Sequence, residues 1–302
     1  MAHEHHHDHG VVITNVNKAF WVSIALNVVY VVAELVAGLL YQSMALLTDA
    51  GHNASDVASL LLSLLAFSLA KKKATSRFTY GYKKTTILAA LANAVILLVA
   101  IGVLGVETVR RFVQPHEVQG GVIAWVAGVG IVVNALSAFM FFKSRKHDLN
   151  VKSAYLHLLA DALVSLGVVL AGILISFTGW YILDPLMGSV VLVVILVSTW
   201  QLLVDSFKLS VDAVPEGIDV ERIKEVICRV PHVQAVHHVH IWALSTTENS
   251  LTAQVQVEGS LDVQQQMQVV HEIKHELEHH KIQHSTIEVE SAEAHPDHQT
   301  CK

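Results

Sequence analysis

His52 with Asp56, and His157 with Asp161, form two His-x-x-x-Asp pairs, each set inside a long apolar run. Residues four apart share one face of a helix, so each pair turns an imidazole and a carboxylate the same way. Two imidazoles and two carboxylates can close a tetrahedron around zinc, which accepts nitrogen and oxygen ligands together; an all-carboxylate set would suit manganese better. Cadmium and cobalt are the neighbouring preferences. An ionisable side chain at the centre of a bilayer costs about 3 kcal/mol or more unless something pairs it, so two matched pairs there need a reason. One reason is bland: each pair is a self-contained His–Asp hydrogen bond that braces a bundle. The duplication favours the other, a transported cation held by all four.

Further polar residues stand in the same runs. Asp49, three residues before His52, approximately shares its face and is read as a carboxylate that orients the His52 ring, a spare ligand or a helix-start residue. Asn27, Glu34, Asn93 and Asn134 are read as interhelical hydrogen-bonding groups. Asp184-Pro185 reads as a helix start with proline in its first turn.

The chain that must position these groups is 53 % hydrophobic and only 15 % charged, against about 25 % charged in soluble domains, which predicts a membrane protein. A net charge of −6 with 20 histidines defines no basic surface for nucleic acid. The first ten residues lack the layout of a secretory signal, so no cleavage is expected. Spanning about 30 Å of hydrocarbon at 1.5 Å per residue takes about 20 apolar residues. Six runs qualify, at 19–40, 44–70, 85–106, 121–142, 151–177 and 183–204. Lys71, Lys72, Lys73, Arg77, Lys83 and Lys84 stand between the second and third runs, and Lys143, Arg145, Lys146 and Lys152 between the fourth and fifth. The other loops offer only Arg110 and Arg111. Positive residues accumulate on the cytoplasmic side, so both termini are expected there. By the same rise, each His–Asp pair lies roughly 9 to 18 Å into its span, near the midplane, where alternating-access transporters hold their substrate.

Beyond residue 208 the composition becomes mixed. A helix is predicted over 219–229, strands over 233–244 and 250–258, a helix over 262–280 and a strand over 286–290, in the order αββαβ. This is a small α+β domain with helices on one sheet face. Strict alternation would put His238 and His240 on one face of the first strand and His237 on the other. His237, His240 and His284 are candidate auxiliary ligands, and His271, His275 and His279 form a stripe that is either solvated surface or metal-binding. The N-terminal His3, His5, His6, His7 and His9 are expected to capture metal weakly. The expected domains are therefore a His-rich segment at 1–18, a six-helix membrane domain at 19–208, a cytosolic domain at 209–292 and a tail at 293–302. Metal binds deprotonated His and Asp and releases protons, so a site open alternately to each side exchanges metal for protons with these ligands alone.

The segments LLTDAGHNASDVASLLLSLLA (46–66), FTYGYKKTTILAALANA (78–94), ETVRRFVQP (107–115), LNVKSAYLHLLADALVSLGVV (149–169), ILDP (182–185), LLVDS (202–206), VHHVHIWAL (236–244) and HSTIEVE (284–290) resemble the cation diffusion facilitator family, in its bacterial zinc-exporting branch. The resemblance implies a homodimer of six-helix units with ferredoxin-like cytosolic domains in the cell inner membrane. It also implies zinc efflux in exchange for protons, with cadmium, cobalt or nickel as possible further cargo and His52, Asp56, His157 and Asp161 as the transport site. Three positions depart from the family's habits: Tyr82 where many members have histidine, Gln254 likewise, and Glu288 where glutamine is common. A metal in the loop between spans two and three is then not expected. His237 with Glu288 or Glu290 remains a candidate interface site. An intramembrane metallohydrolase would need an open metal position and a separate base, which four protein ligands do not leave. A metal sensor with a mere membrane anchor would need neither six spans nor two buried ligand pairs. No enzymatic activity is expected.

Overall fold

A computed structural model describes residues 16–141 and 149–291. Its elements are α1 (Val16–Leu40), α2 (Met44–Ala70), α3 (Thr85–Val113), α4 (Gly120–Phe141), α5 (Leu149–Thr178), α6 (Leu183–Ser210), α7 (Val220–Cys228), β1 (Val233–Ala243), β2 (Asn249–Val257), α8 (Val263–His279) and β3 (Ile282–Ser291). Among the described residues, α2 to α6 each contain a stretch long and apolar enough to cross a membrane, and Ile24–Leu40 of α1 is a shorter apolar helix. Side chains such as Val99, Trp125, Phe139 and Phe177 stand exposed, as expected of helices whose outer surface meets lipid. The helices α3 and α6 outrun their expected ends at 106 and 204. In α3 the extension carries Arg110 and Arg111, which suit the negative end of a helix dipole, and Glu107 pairs with Arg111 at 3.1 Å. The expected end of the fourth span, Phe142, residues 1–15 of the expected segment 1–18 and the expected tail 293–302 lie outside the described residues.

The chain divides into two units, residues 1–58 with 97–198, and residues 59–96 with 199–302. In the first, Ala45, Leu46, Ile123, Ala127, Val168 and Ile175 form a core. Here α4 crosses α5 at backbone contact: a Cβ on Gly172 would lie 2.7 Å from Gly120 O and Ala124 N. Small residues at a crossing let lipid-embedded helices approach closely, and this one fixes the α5 that bears His157 and Asp161. The start of α2 is fixed from α6. Asp184 accepts hydrogen bonds from Ser43 Oγ at 2.5 Å, Met44 N–H at 2.6 Å and Ala45 N–H at 3.2 Å, satisfying donors that every helix start leaves open. The expected helix-start residue of α6 thus also caps α2.

In the second unit, β1 and β2 pair antiparallel and β2 and β3 parallel, with α8 as the crossover that parallel pairing requires. The helices α7 and α8 pack Ile223, Ile227, Ile273 and Leu277 against Ile241, Leu251 and Val255 of the sheet. Asp219 caps α7, and Asp262 with Gln265 forms a capping box on α8. Two expectations are corrected here. The last strand starts at Ile282, four residues before 286, because Gln283, His284 and Ser285 carry no apolar alternation at a sheet edge. A bulge in β1 breaks the strict alternation: His237 pairs with Gln254 and His240 with Thr252, three residues against two. His237 and His240 therefore share a face, and His238 takes a left-handed φ of 49° within the bulge. In the same unit the loop after α2 meets the α/β part. Lys83 pairs with Glu248 and Lys84 with Asp212, while Lys84 Nζ also donates to Ala243 O at 3.2 Å and Thr246 N–H to Thr86 Oγ1 at 3.0 Å.

Candidate metal centre

Twelve residues separate the capped start of α2 from Asp56, and the same number separates Leu149 at the start of α5 from Asp161. The two helices bring all four predicted groups together in one unit. His157 Nε2 lies 3.1 Å from Asp56 Oδ2 and 3.6 Å from Asp161 Oδ2; His52 Nε2 lies 3.4 Å from Asp161 Oδ1 and 4.0 Å from Asp56 Oδ2. The two rings stand 6.1 Å apart and nearly perpendicular. Each carboxylate therefore sits between both imidazoles. In both cases the contact across helices is shorter than the one within the pair, which a self-contained brace would not produce. A tetrahedron with ligands about 2.1 Å from its centre has edges of about 3.4 Å, and the four distances bracket that value. Among the described residues, Asp56, His157 and Asp161 are the one group of three whose ligand atoms all lie within 4.8 Å of one another.

The four groups form two layers. The Asp161 and His52 side chains are 8 % and 13 % exposed, whereas those of Asp56 and His157 are 39 % and 48 % exposed. Asp56 lies further along α2 than His52, and His157 earlier on α5 than Asp161, so both open groups are on the side of the α2 end and the α5 start.

Asp49, one turn before His52, is fully buried and accepts from Ser165 Oγ of α5 at 3.4 Å. The structure thus gives it a partner on the second ligand-bearing helix, and no hydrogen bond to the His52 ring is formed. Beyond it Glu34, also fully buried, accepts from Tyr30 Oη at 2.7 Å and from Asn53 Nδ2 at 3.3 Å, tying α1 to α2. Asn93 donates to Ser59 Oγ at 2.6 Å, the interhelical bond its sequence position implied. Asn134 and Ser137 of α4 differ: both are fully buried, and among the described residues Ser137 Oγ and both amide atoms of Asn134 have no hydrogen-bond partner.

The predicted auxiliary residues fall on one face of the sheet, away from α7 and α8, but not around one point. His237 Nε2 meets Glu290 Oε2 at 3.1 Å, and Glu288 Oε2 accepts from Gln254 Nε2 at 2.9 Å. The His284 ring contacts that of Tyr80 at 5.3 Å, and His240 is exposed. The capping role of Asp184 was missed from sequence. Ser43, an N-cap type directly before an apolar run, was the available signal.

Residues 20–209 match the cation efflux transmembrane domain, and residues 215–292 match the cytoplasmic domain of cation efflux proteins. The chain is 37 % identical over 294 residues to a cadmium, cobalt and zinc/H(+)-K(+) antiporter of Bacillus subtilis, covering 96 % of this chain and 93 % of that protein. It is 35 % identical over 303 residues to the zinc transporter ZitB of Escherichia coli, covering 98 % and 95 %. To the metal cation efflux system protein CzcD of Cupriavidus metallidurans it is 34 % identical over 294 residues, covering 97 % and 91 %.

Proposed function

The chain belongs to the cation efflux family, whose members are multi-pass membrane transporters and not enzymes, and from that premise we propose that it exports zinc from the cytoplasm in exchange for protons. His52, Asp56, His157 and Asp161 bind the ion as its four ligands. One observation carries this reading: each carboxylate lies between two imidazoles, with the cross-helix contacts the shorter ones. Two nitrogens and two oxygens at tetrahedral spacing favour zinc, and cadmium, cobalt and nickel are the competitors. The relatives named for cadmium, cobalt and zinc accord with that set.

The same four groups carry the counter-ion. Zinc binds only to deprotonated ligands, so its arrival expels protons and protonation from the far side expels zinc. The Lys-rich loop after α2 and the α/β part belong to one side, because Lys83 and Lys84 pair with Glu248 and Asp212. With positive loops inside, that side is cytoplasmic, and so are both termini. The exposed layer of Asp56 and His157 then faces the cytoplasm, the side from which an exporter loads.

We assign 1–18 to a His-rich cytoplasmic segment, 19–208 to the transport domain, 209–292 to a cytoplasmic dimerisation domain and 293–302 to a tail. His237 with Glu288 and Glu290 supplies donors to an auxiliary metal in the homodimer, and His240 and His284 lie on the same sheet face. Asp49 acts on the site through Ser165 and α5.

Zinc flux into reconstituted vesicles, with membrane potential clamped, tests the proposal. An acidic lumen is expected to drive zinc inward, and Asp161→Ala to abolish the flux. Flux indifferent to the pH gradient would remove the antiport. Normal flux in Asp161→Ala would remove the site.

A further inference from the structure

Residues 271–275 of α8 read His-Glu-Ile-Lys-His. Ile273 and Leu277 are fully buried in the core, which fixes the helix's rotation and turns His271, His275 and His279 outward, where all three are exposed. The rings of His275 and His279 meet edge to face at 4.8 Å. A second ladder, Glu272, Glu276 and His280, climbs beside the first at the same one-turn spacing. His271, Glu272, His275, Glu276 and His280 line a groove of about 460 Å³ between α8 and the end of α7. The one cation in its wall, Arg229, lies 3.6 Å from Glu225 of its own helix.

We propose that this groove is a second metal site, in which His271 and His275 chelate a zinc-class divalent cation from one helix face and Glu272, Glu276 or His280 supplies a further ligand. Two histidines four apart on a helix, with an intervening glutamate, is a spacing that holds zinc elsewhere, because both imidazole nitrogens reach one point above the face. The carboxylates favour a cation over a neutral ligand, and the imidazoles favour zinc over magnesium or calcium. His271, His275 and Glu276 are exposed, and the one triad already within 4.8 Å among the described residues is in the membrane unit. Binding at α8 therefore orders side chains that start mobile, at an entropy cost the membrane site does not bear. The α8 site is accordingly the weaker one, filling when metal is abundant. It shares no residue with the membrane site or with the His237–Glu290 pair.

The test is histidine modification of the purified full-length chain by diethyl pyrocarbonate, read residue by residue by mass spectrometry, with zinc chloride, magnesium chloride or no metal. Zinc is expected to protect His271 and His275 and magnesium to leave them reactive. His271→Ala should restore the reactivity of His275 under zinc, with vesicle zinc flux and thermal unfolding unchanged. Equal modification of His275 with and without zinc overturns the proposal, as does undiminished protection in His271→Ala. Loss of protection at α8 with His157 still protected refutes only the α8 site; the converse refutes only the membrane site.

Discussion

In the proposed centre Asp56 and Asp161 link the two helices, because each is the carboxylate nearest to the histidine on the other helix. Of the four proposed ligands, His52 tests selectivity best: its side chain is 13 % exposed, and its nitrogen is what would separate a zinc site from an oxygen-only one. His52→Asp leaves three carboxylates and one imidazole. Vesicle transport of the variant should lose zinc preference by about tenfold or more relative to manganese, since ligand type sets selectivity where raw affinity cannot. An unaltered zinc-to-manganese ratio would mean that His52 does not touch the ion. The residue types and the four-residue spacings were legible in the sequence because one helix's geometry determines them. The cross-pairing of His52 with Asp161 and of His157 with Asp56 was not, since it depends on how two helices cross. The bulge that moves His237 onto the face of His240 was equally hidden: alternating residues report a regular strand, and nothing in Val-His-His-Val-His announces an extra residue.

The helices that bear the proposed ligands are held by their neighbours. Asp184 on α6 accepts one hydrogen bond from Ser43 and two from the first turn of α2, whose first residue is eight before His52, and is itself 2 % exposed. Asp184→Ala removes a cap worth about 0.5–2 kcal/mol and leaves buried donors unpaired. The variant should unfold at lower temperature in detergent and bind zinc more weakly, through displacement of His52 and Asp56. Full thermal stability in Asp184→Ala would show that α2 is held elsewhere. At this scale the sequence was largely readable, because apolar runs of bilayer length and α+β periodicities are local signals. The start of β3 was lost because Gln283, His284 and Ser285 lack the apolar alternation that marks a strand, and pairing with β2 outweighs it.

At the scale of the molecule, all four proposed membrane ligands come from residues 52–161, outside the α/β part. A chain ending at residue 214 should therefore still move zinc down a pH gradient, more slowly than the full chain; complete loss of flux would assign the α/β part a direct role in transport. What that part does to the membrane helices is tested more finely at the loop between α2 and α3. Lys83 pairs with Glu248, both about a third exposed, so their attraction is screened and worth at most about 1 kcal/mol, or about fivefold in an equilibrium. The neighbouring Lys84 adds Asp212 and the Ala243 carbonyl, and Thr86 receives the Thr246 N–H, so the loop is tied to the α/β part at several points. If these ties couple the α/β part to transport, Lys83→Glu alone should slow zinc flux by no more than about fivefold. Glu248→Lys alone should do the same. The exchanged pair, Lys83→Glu with Glu248→Lys, should recover most of the loss, because the attraction is restored with its sign reversed. A double variant as slow as the sum of the singles would show that each charge acts on something other than its partner.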